Sequence, residues 1–203
     1  METVDYLKIL VEGIHSTVVA TLNEKGRPVT RCIDMMLYDE KGVYFLTAKG
    51  KQFYGQLMSQ KYVSLSGIKD KRCISLSGKV KNIGKEKLDE IFVKNPYMQD
   101  LYPGETRSAL EVFQIYEAEG NFFDISDPKH VKRETFALGK AEERPTGYVI
   151  NPACIGCGKC LNVCPQKCID VTKTPCVINQ NCCLHCGNCV PVCPVRAISM
   201  KSL

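Results

Sequence analysis

The sequence lacks any apolar run long enough to span a bilayer, and it contains no tryptophan. Charged residues interrupt the first eleven positions at Glu2, Asp5 and Lys8, so no secretory signal peptide is expected there. No Gly-x-Gly-x-x-Gly pattern follows a predicted strand, which argues against a Rossmann site for NAD(P)H. These absences favour a cytoplasmic protein that does not insert into a membrane.

Cysteine, in contrast, is abundant, with 13 residues in a chain of 203. Eight of them form two copies of one run, Cys-x-x-Cys-x-x-Cys-x-x-x-Cys-Pro, offset by 29 residues. The first run is Cys154, Cys157, Cys160 and Cys164. The second run is Cys183, Cys186, Cys189 and Cys193. This spacing is typical of two-cluster bacterial-type ferredoxins, in which the fourth cysteine of each run ligates the other cluster.

Three cysteines at intervals of three place their thiolates on one tight loop, so a cubane cluster must take its fourth ligand from elsewhere. Gly158 and Gly187 are expected where the loop backbone approaches a cluster, and a helix is expected after the third ligand. We predict that one [4Fe-4S] cluster is bound by Cys154, Cys157, Cys160 and Cys193. The other is predicted to be bound by Cys183, Cys186, Cys189 and Cys164.

The alternatives for these cysteines are a zinc site and a disulfide scaffold. Zinc sites rarely use three cysteines at this interval, and a duplicated set of eight thiols with prolines in register fits clusters better. So many free thiols indicate a reducing compartment. The formal net charge of +5 counts the cysteines as neutral, and the lysines are scattered, so we expect no nucleic-acid partner.

A composition change divides the chain. Residues 140–147 are charged, lack large apolar side chains and end in Pro and Gly, and eleven cysteines follow them. We predict two domains, residues 1–140 and residues 147–203. Strands are predicted at residues 16–22, 28–38, 43–47, 62–68 and 73–80, with a closing pair at 109–117 and 120–125. Helices are predicted at residues 4–11, 51–59 and 85–93. The first domain is therefore expected to be a six- or seven-stranded antiparallel sheet closed as a small barrel.

The order of these elements, and above all residues 31–47, resembles the pyridoxamine 5′-phosphate oxidase-like flavin proteins. The resemblance covers residues 1–138 and is clearest over residues 16–83. It implies a mainly β fold, an FMN-binding split barrel, followed here by the small α+β ferredoxin-like domain. It also implies a homodimer with FMN at the interface. Family members that oxidise pyridoxamine phosphate carry a C-terminal arginine-rich segment with tryptophan, and this chain has neither.

The resemblance also implies which residues face the flavin ring. Backbone groups of Ile33, Asp34 and Met35 match the family positions beside the isoalloxazine, and Thr47 matches the threonine of a Tyr-Thr pair. Where the family often places a glutamine that contacts the flavin, this chain has Arg72 or Cys73.

The flavin phosphate is assigned in the same way to Arg31 and Lys51, with Lys49 nearby. An independent argument supports the lysines, because residues 49–51 lie between a strand and a helix, and a helix N-terminus flanked by ammonium groups attracts anions. The alternative is an ordinary polar turn with surface lysines.

Together these features predict a flavin- and iron–sulfur-dependent reductase. Electrons from an external ferredoxin or another redox protein would enter the clusters, reduce FMN and pass to a small organic acceptor. No side chain is predicted as a catalytic acid or base. An electron carrier or redox sensor without substrate chemistry is the alternative, as is a barrel that holds a deazaflavin, a haem or nothing.

The remaining cysteines and histidines suggest ordinary roles. Cys168 and Cys182 match alanines in the other repeat and are expected to be small packing residues near the clusters. Cys176 is expected in the strand or turn that joins the repeats. Cys32 and Cys73 are expected to be buried strand residues, and His185 to be a surface residue of a ligand loop. His15 has no partner pattern that suggests catalysis.

Overall fold

The computed structural model describes residues 1–202, which separate into two compact units. The first unit contains Met1–Asn121 and Phe136–Glu143, and the second contains Phe122–Thr135 together with the chain from Arg144 onward. The change from the first unit to the second at Glu143 and Arg144 lies within the predicted linker, residues 140–147. The segment 122–135 is grouped with the second unit, whereas the sequence interpretation assigned it to the first domain.

The first unit begins with a helical segment of two kinds. Helix α1, Thr3–Lys8, starts where the Glu2 backbone N–H donates to Asp5 Oδ2 at 2.9 Å, and it continues as a π-helix, Ile9–Ile14. The predicted helix at residues 4–11 is confirmed but is extended by the π-helical turn. Its buried residues, among them Leu7 and Leu10, pack into the core.

The following strands and helices build the barrel. In chain order they are β1 Ser16–Leu22, β2 Pro28–Asp39, β3 Gly42–Ala48, α2 Gln52–Gln60, β4 Tyr62–Lys69, β5 Arg72–Gly84, α3 Leu88–Lys94, α4 Tyr97–Leu101, a 3₁₀ turn Gly104–Ala109, β6 Leu110–Asp124 and β7 Lys132–Leu138. The sheet order is β3-β2-β1-β4-β5-β6-β7, and β3 also pairs with β6. That extra pairing closes six strands into a ring, with β7 added on β6, as the predicted antiparallel barrel requires.

The barrel interior is filled by alternate residues of the strands. Val19, Leu65, Ile74 and Leu76 are almost completely buried, and the Phe45 and Phe113 rings stack with their centroids 5.8 Å apart. The neighbouring residues point outward, so Cys32 is exposed and Cys73 is half-buried. The prediction that both are buried strand residues is therefore wrong for Cys32, and Cys73 is a strand residue that is only half-buried.

The predicted closing pair of strands is one strand. β6 runs without a break from Leu110 to Asp124 and includes residues 118–119, where the sequence interpretation placed a break. Strand β7 was not predicted at all. Ala118 is buried against β5, and a Cβ on Gly78 would lie 2.5 Å from the Ala118 Cα, so close packing and not a turn explains the small residues here.

The second unit contains two short antiparallel pairs. β8 Thr146–Ile150 pairs with β11 Ile198–Ser202, and β9 Ile169–Asp170 pairs with β10 Val177–Ile178. A single-turn helix, α5 Lys159–Asn162, lies in the first cysteine run, and a 3₁₀ turn Gln180–Cys182 precedes the second. In the first run, the helix predicted after the third ligand is one turn long and starts one residue before that ligand, Cys160. In the second run, only turns follow the third ligand, Cys189.

The sequence repeat recurs in the backbone of this unit. Three pairs of residues that are 29 positions apart share positive φ angles: Gly158 and Gly187 at 70° and 74°, Lys167 and Arg196 at 49° and 51°, and Gly156 and His185 at 68° and 54°. The predicted glycines therefore occupy left-handed backbone positions. His185 takes the place of a glycine, which sequence reasoning did not detect.

Candidate cofactor sites

The second unit contains two separate cavities, and each brings together four of the predicted ligands. The first cavity is lined by Cys154, Cys157, Cys160 and Cys193. The second cavity is lined by Cys183, Cys186, Cys189 and Cys164. Each set combines three cysteines of one run with the fourth of the other, which is the crossed arrangement that the spacing predicts.

Among residues 1–202, no group of three or more His, Cys, Asp or Glu side chains forms a site that could hold a metal ion. The preference for iron–sulfur clusters over a tetrahedral zinc ion therefore rests on the duplicated spacing of the eight cysteines.

Backbone N–H groups point at the candidate ligand sulfurs. Gly156 and its repeat partner His185 donate to the sulfurs of Cys154 and Cys183 at 3.5 and 3.4 Å, and Ala197 donates to Cys193 at 3.2 Å. Such bonds from the Cys176 and Gly156 backbones lower the pKa of Cys154. Burial acts in the opposite direction and raises the pKa of Cys189 to about 11. A thiolate at Cys189 would need a cation beside it, a charge that iron would supply if this residue ligates a cluster.

Two further cysteines lie in these cavities. The Cys176 sulfur is 3.8 Å from the Cys154 sulfur in the first cavity, and the Cys168 sulfur is 3.6 Å from the Cys164 sulfur in the second. Both are buried, and Cys176 directly precedes β10 in the segment that joins the repeats, as expected. Cys182 differs, because its thiol donates to the Asn179 carbonyl at 3.7 Å.

His185 is not the surface residue that the sequence suggested. Its ring is half-buried, 6.5 Å from the Tyr148 ring in an edge-on contact, and its Nε2 is buried without a hydrogen-bond partner within residues 1–202. Burial, with the positive charge of Arg133, lowers the pKa of the imidazole.

In the first unit, Arg31 projects from β2 against helix α2. Its guanidinium donates to Thr21 Oγ1 at 2.7 Å and to Gln56 Oε1 at 2.9 Å, and it stacks 4.4 Å from the Phe53 ring centroid. These acceptors are all uncharged, so the positive charge of Arg31 is not neutralised by them. Burial lowers the pKa of this guanidinium, which remains protonated.

The two lysines of the predicted phosphate turn have different surroundings. Lys49 forms an ion pair with Glu111 at 2.8 Å, and Glu111 also accepts from Tyr54 at 2.7 Å and Asn82 at 2.6 Å. The Lys49 contact, with those of Asn82 and Tyr54, lowers the pKa of Glu111 to about 2. Lys51 is exposed in the extended position just before α2. Of the two lysines, Lys51 is the one without a carboxylate held against it among the described contacts.

The predicted ring-facing residues lie together on β2, where the pairing with β3 shifts register between Met35 and Leu37. The Met35 backbone N–H donates to the His15 carbonyl at 2.8 Å, and the Ile33 carbonyl accepts from Thr17 Oγ1 at 2.9 Å. Thr47, on β3, is buried, and its hydroxyl has no hydrogen-bond partner in the described part of the chain. Arg72 and Cys73 begin β5 at its hairpin with β4.

Family comparisons assign both halves of the chain. A model of pyridoxamine 5′-phosphate oxidase matches residues 5–120, and a model of a 4Fe-4S dicluster domain matches residues 153–200. The chain belongs to the pyridoxamine 5′-phosphate oxidase family. Its first unit is accordingly the FMN-binding split barrel that the resemblance implied, and a 4Fe-4S ferredoxin domain follows it. A protein of this family with such a domain is an oxidoreductase with an electron-transfer function.

Solved structures agree on the fold. A nimc/nima family protein from Clostridium acetobutylicum has a TM-score of 0.56 and 21% identity, covering 66% of this chain and 92% of its own. A protein from the same organism, related to general stress protein 26 of B. subtilis, has a TM-score of 0.51 and 18% identity, with coverages of 65% and 94%. PhzG from Burkholderia lata 383 scores 0.51 at 16% identity, with coverages of 68% and 92%. No curated protein matches the chain significantly.

The family barrel of this chain also carries a polar cluster that sequence reasoning missed. His15 Nε2 lies 3.2 Å from the Tyr97 hydroxyl, which donates to Asp34 Oδ2 at 2.8 Å, and Ser16 donates to Asp34 Oδ1 at 2.6 Å. His15 has a φ of 68°, an unusual value for a residue with a side chain. Burial and the bond to Asp34 raise the pKa of Tyr97. No sequence pattern links positions 15, 34 and 97, so only the fold reveals the cluster.

No helix within residues 1–202 has the length and apolar character needed to cross a membrane.

Proposed function

We propose that this protein is a reductase that passes electrons from two [4Fe-4S] clusters to FMN and on to a small organic acceptor. The observation that carries the proposal is the pair of separate cavities, each lined by one crossed set of four predicted ligands, in a chain that also has the FMN-family barrel. An external ferredoxin or another redox protein is the proposed donor, and the cytoplasm is the proposed compartment because its thiols stay reduced.

The proposed ligands of the first cluster are Cys154, Cys157, Cys160 and Cys193, and those of the second are Cys183, Cys186, Cys189 and Cys164. When bound, iron–sulfur clusters exchange single electrons and FMN exchanges one or two, which suits conversion between one- and two-electron partners. The chain itself provides thiolates, backbone N–H donors to their sulfurs, and apolar walls such as Ile150 and Ile198 that limit water access to the first cavity.

For the flavin phosphate, we assign Arg31 and Lys51. Arg31 already has its guanidinium oriented by Thr21 and Gln56 and keeps an unneutralised positive charge toward an anion. Lys51 directly precedes α2, a nine-residue helix whose N-terminal N–H groups attract phosphate. Lys49 is the weaker candidate, because a phosphate there has to compete with Glu111.

For the ring, the proposed contacts are the backbones of Ile33, Asp34 and Met35, as the resemblance implies. Thr47 fits this role through its buried hydroxyl, which is unpartnered in the described part of the chain. An unpaired buried hydroxyl costs free energy, so a ligand that accepts from it or donates to it stabilises the site.

The proposed homodimer is supported by one outer face of the barrel, formed by β2, β1, β4 and β5. Its centre carries small or apolar side chains without charge: Thr30, Cys32, Val18, Ala20, Ser64, Ser66, Ser75 and Ser77. Two serine pairs satisfy their hydroxyls within the face, at 2.7 and 2.9 Å. Val18 is 47% exposed and Ile68 at the end of β4 is 67% exposed. An uncharged sheet face of this kind suits a second copy of the chain.

The proposal is tested by cofactor analysis and turnover of anaerobically purified protein. We expect about eight iron atoms per chain, as two cubane clusters require, and FMN identified by mass after extraction. A panel of organic acceptors is then supplied with reduced ferredoxin or dithionite, and at least one is expected to be reduced catalytically. About four iron atoms, or no FMN, would contradict the assignment of cofactors.

The alternative is an electron carrier or redox sensor in which the flavin performs no substrate chemistry. Reduction of clusters and flavin without turnover of any acceptor would favour it. Extraction of a deazaflavin or a haem instead of FMN would identify a different ligand in the barrel.

The phosphate assignment has its own test. Arg31→Ala removes a charge-assisted hydrogen bond of about 1.5–3 kcal/mol, so we expect FMN binding to weaken at least tenfold, measured by flavin fluorescence on titration. Arg27→Ala is the control, because it removes the same charge from an exposed position four residues away. Equal FMN affinities of Arg31→Ala and Arg27→Ala would show that Arg31 does not bind the flavin phosphate.

A further inference from the structure

Each cluster cavity contains five cysteines, one more than a cubane cluster needs. In the first cavity the additional thiol is Cys176, and in the second it is Cys168. Both are among the buried residues of the second unit, with 3% and 8% of their surface exposed. Their sulfurs lie 3.8 and 3.6 Å from the sulfurs of Cys154 and Cys164, within the 4.0 Å reach of a weak hydrogen bond that involves sulfur.

The two additional thiols do not arise from the sequence repeat. The position equivalent to Cys168 is Ala197 in the other repeat, and Cys176 belongs to the segment that joins the two repeats. Different parts of the chain therefore place a fifth thiol in the same relation to a candidate ligand. Cys182 is the contrast, because its thiol is directed to the Asn179 carbonyl and contacts no ligand sulfur among the described hydrogen bonds.

The chemistry of the pair assigns the direction of each hydrogen bond. A thiol bound to iron is deprotonated outright and becomes an acceptor, so the S–H of the pair must belong to the cysteine that is not bound. In the structure the Cys154 thiol donates to Cys176; as an iron-bound thiolate Cys154 can only accept, so Cys176 becomes the donor of that bond. The same reasoning makes Cys168 the donor to the ligand sulfur of Cys164.

We propose that Cys176 and Cys168 are non-ligating donors whose S–H groups bond to the ligand sulfurs of Cys154 and Cys164 and raise the reduction potential of each cluster. A hydrogen bond to a ligand sulfur stabilises the additional negative charge of the reduced cluster, which shifts the potential upward. The inference rests on the proposed pair of [4Fe-4S] clusters and assigns how the chain tunes them.

The test is an EPR-monitored redox titration of the full-length holoprotein. Cys176→Ala keeps four ligands at the first cluster but removes the donor, so we expect its midpoint potential to fall while the other cluster is unchanged. Cys168→Ala should lower the potential of the other cluster only. Cys176→Ser retains a donor in its hydroxyl and should recover part of the wild-type potential. Cys32→Ala, the control, removes an exposed thiol of the first unit and should leave both potentials unchanged.

Two outcomes would overturn the inference. Unchanged potentials in Cys176→Ala and Cys168→Ala would show that the thiols are only packing residues. Loss of about half of the iron in either variant would show that the cysteine is a ligand. Wild-type protein reports separately on the proposed function: if it lacks two cubane EPR signals, the cluster assignment fails before the variants are compared.

Discussion

Most of what the sequence predicted about this protein concerns individual cysteine residues. The eight ligand positions follow from spacing alone, and the structure gathers them into two cavities in the crossed combination. The contacts of the remaining cysteines could not be predicted, because the S···S approach of Cys176 to Cys154 depends on how the joining segment folds. His185 likewise was misjudged, since only the backbone shows that it occupies a glycine-like left-handed position.

The crossed ligation makes a prediction for Cys193. Cys193→Ser replaces a ligand that belongs to the second run in sequence but to the first cavity in space. We expect loss or conversion of the cluster held by Cys154, Cys157 and Cys160, with about half of the iron released, and an intact EPR signal from the other cluster. Cys164→Ser should give the reciprocal result. Damage confined to the cluster of the second run in Cys193→Ser would contradict crossed ligation.

Strands were predicted well where apolar and polar residues alternate, and poorly where packing sets the pattern. β1 to β5 follow the predicted segments within a few residues at each end. β6 was divided in two because its central residues include Glu119 and Gly120, which resemble a turn. In the fold, Gly120 lies under Phe136, and a Cβ there would be 2.2 Å from the ring. Glycine is required at this position because two distant segments approach closely there, and no local sequence pattern predicts such an approach.

Glu111 connects four elements of the barrel, and its ionisation predicts a pH dependence. It lies on β6 and accepts from Lys49 after β3, Tyr54 on α2 and Asn82 on β5. Its pKa in the fold, about 2, is below the ordinary 4.5, so its contribution is fully present above pH 4.5 and is lost as the pH falls toward 2. We therefore expect the barrel of wild-type protein to lose stability across this interval.

Glu111→Gln tests this dependence through thermal unfolding followed by circular dichroism between pH 2 and 7. The variant should have a lower Tm than wild type at pH 7, and the difference should shrink toward pH 2 because the wild-type carboxylate becomes protonated. Glu40→Gln, which changes an exposed turn residue, serves as the control. A constant difference between wild type and Glu111→Gln at all pH values would show that ionisation of Glu111 is not involved.

At the scale of the whole molecule, composition alone separated a cysteine-poor barrel from a cysteine-rich domain. The structure adds that the segment 122–135 groups with the second unit, a feature that depends on tertiary contacts and not on local sequence. The outer face of β2, β1, β4 and β5 is also visible only when the strand register is known, because its uncharged residues come from four separate strands.

The proposed homodimer predicts the effect of a charge in that face. Val18→Glu places an unpaired carboxylate at its centre, so we expect dissociation to monomers, measured by light scattering after size-exclusion chromatography. Val93→Glu is the control, because Val93 is 75% exposed on α3, outside this face. A wild-type monomer, or a Val18→Glu dimer as stable as the Val93→Glu dimer, would exclude this face as the interface.

The central claim is that the clusters supply electrons to the flavin, and stopped-flow absorbance tests it most directly. Anaerobic wild-type holoprotein is mixed with reduced ferredoxin, and flavin bleaching is compared with that of Cys160→Ser/Cys189→Ser, which lacks one ligand of each proposed cluster. We predict that wild-type flavin is reduced after the clusters, and that the variant retains FMN but is reduced at least tenfold more slowly. Equal rates of flavin reduction in the two proteins would contradict the account.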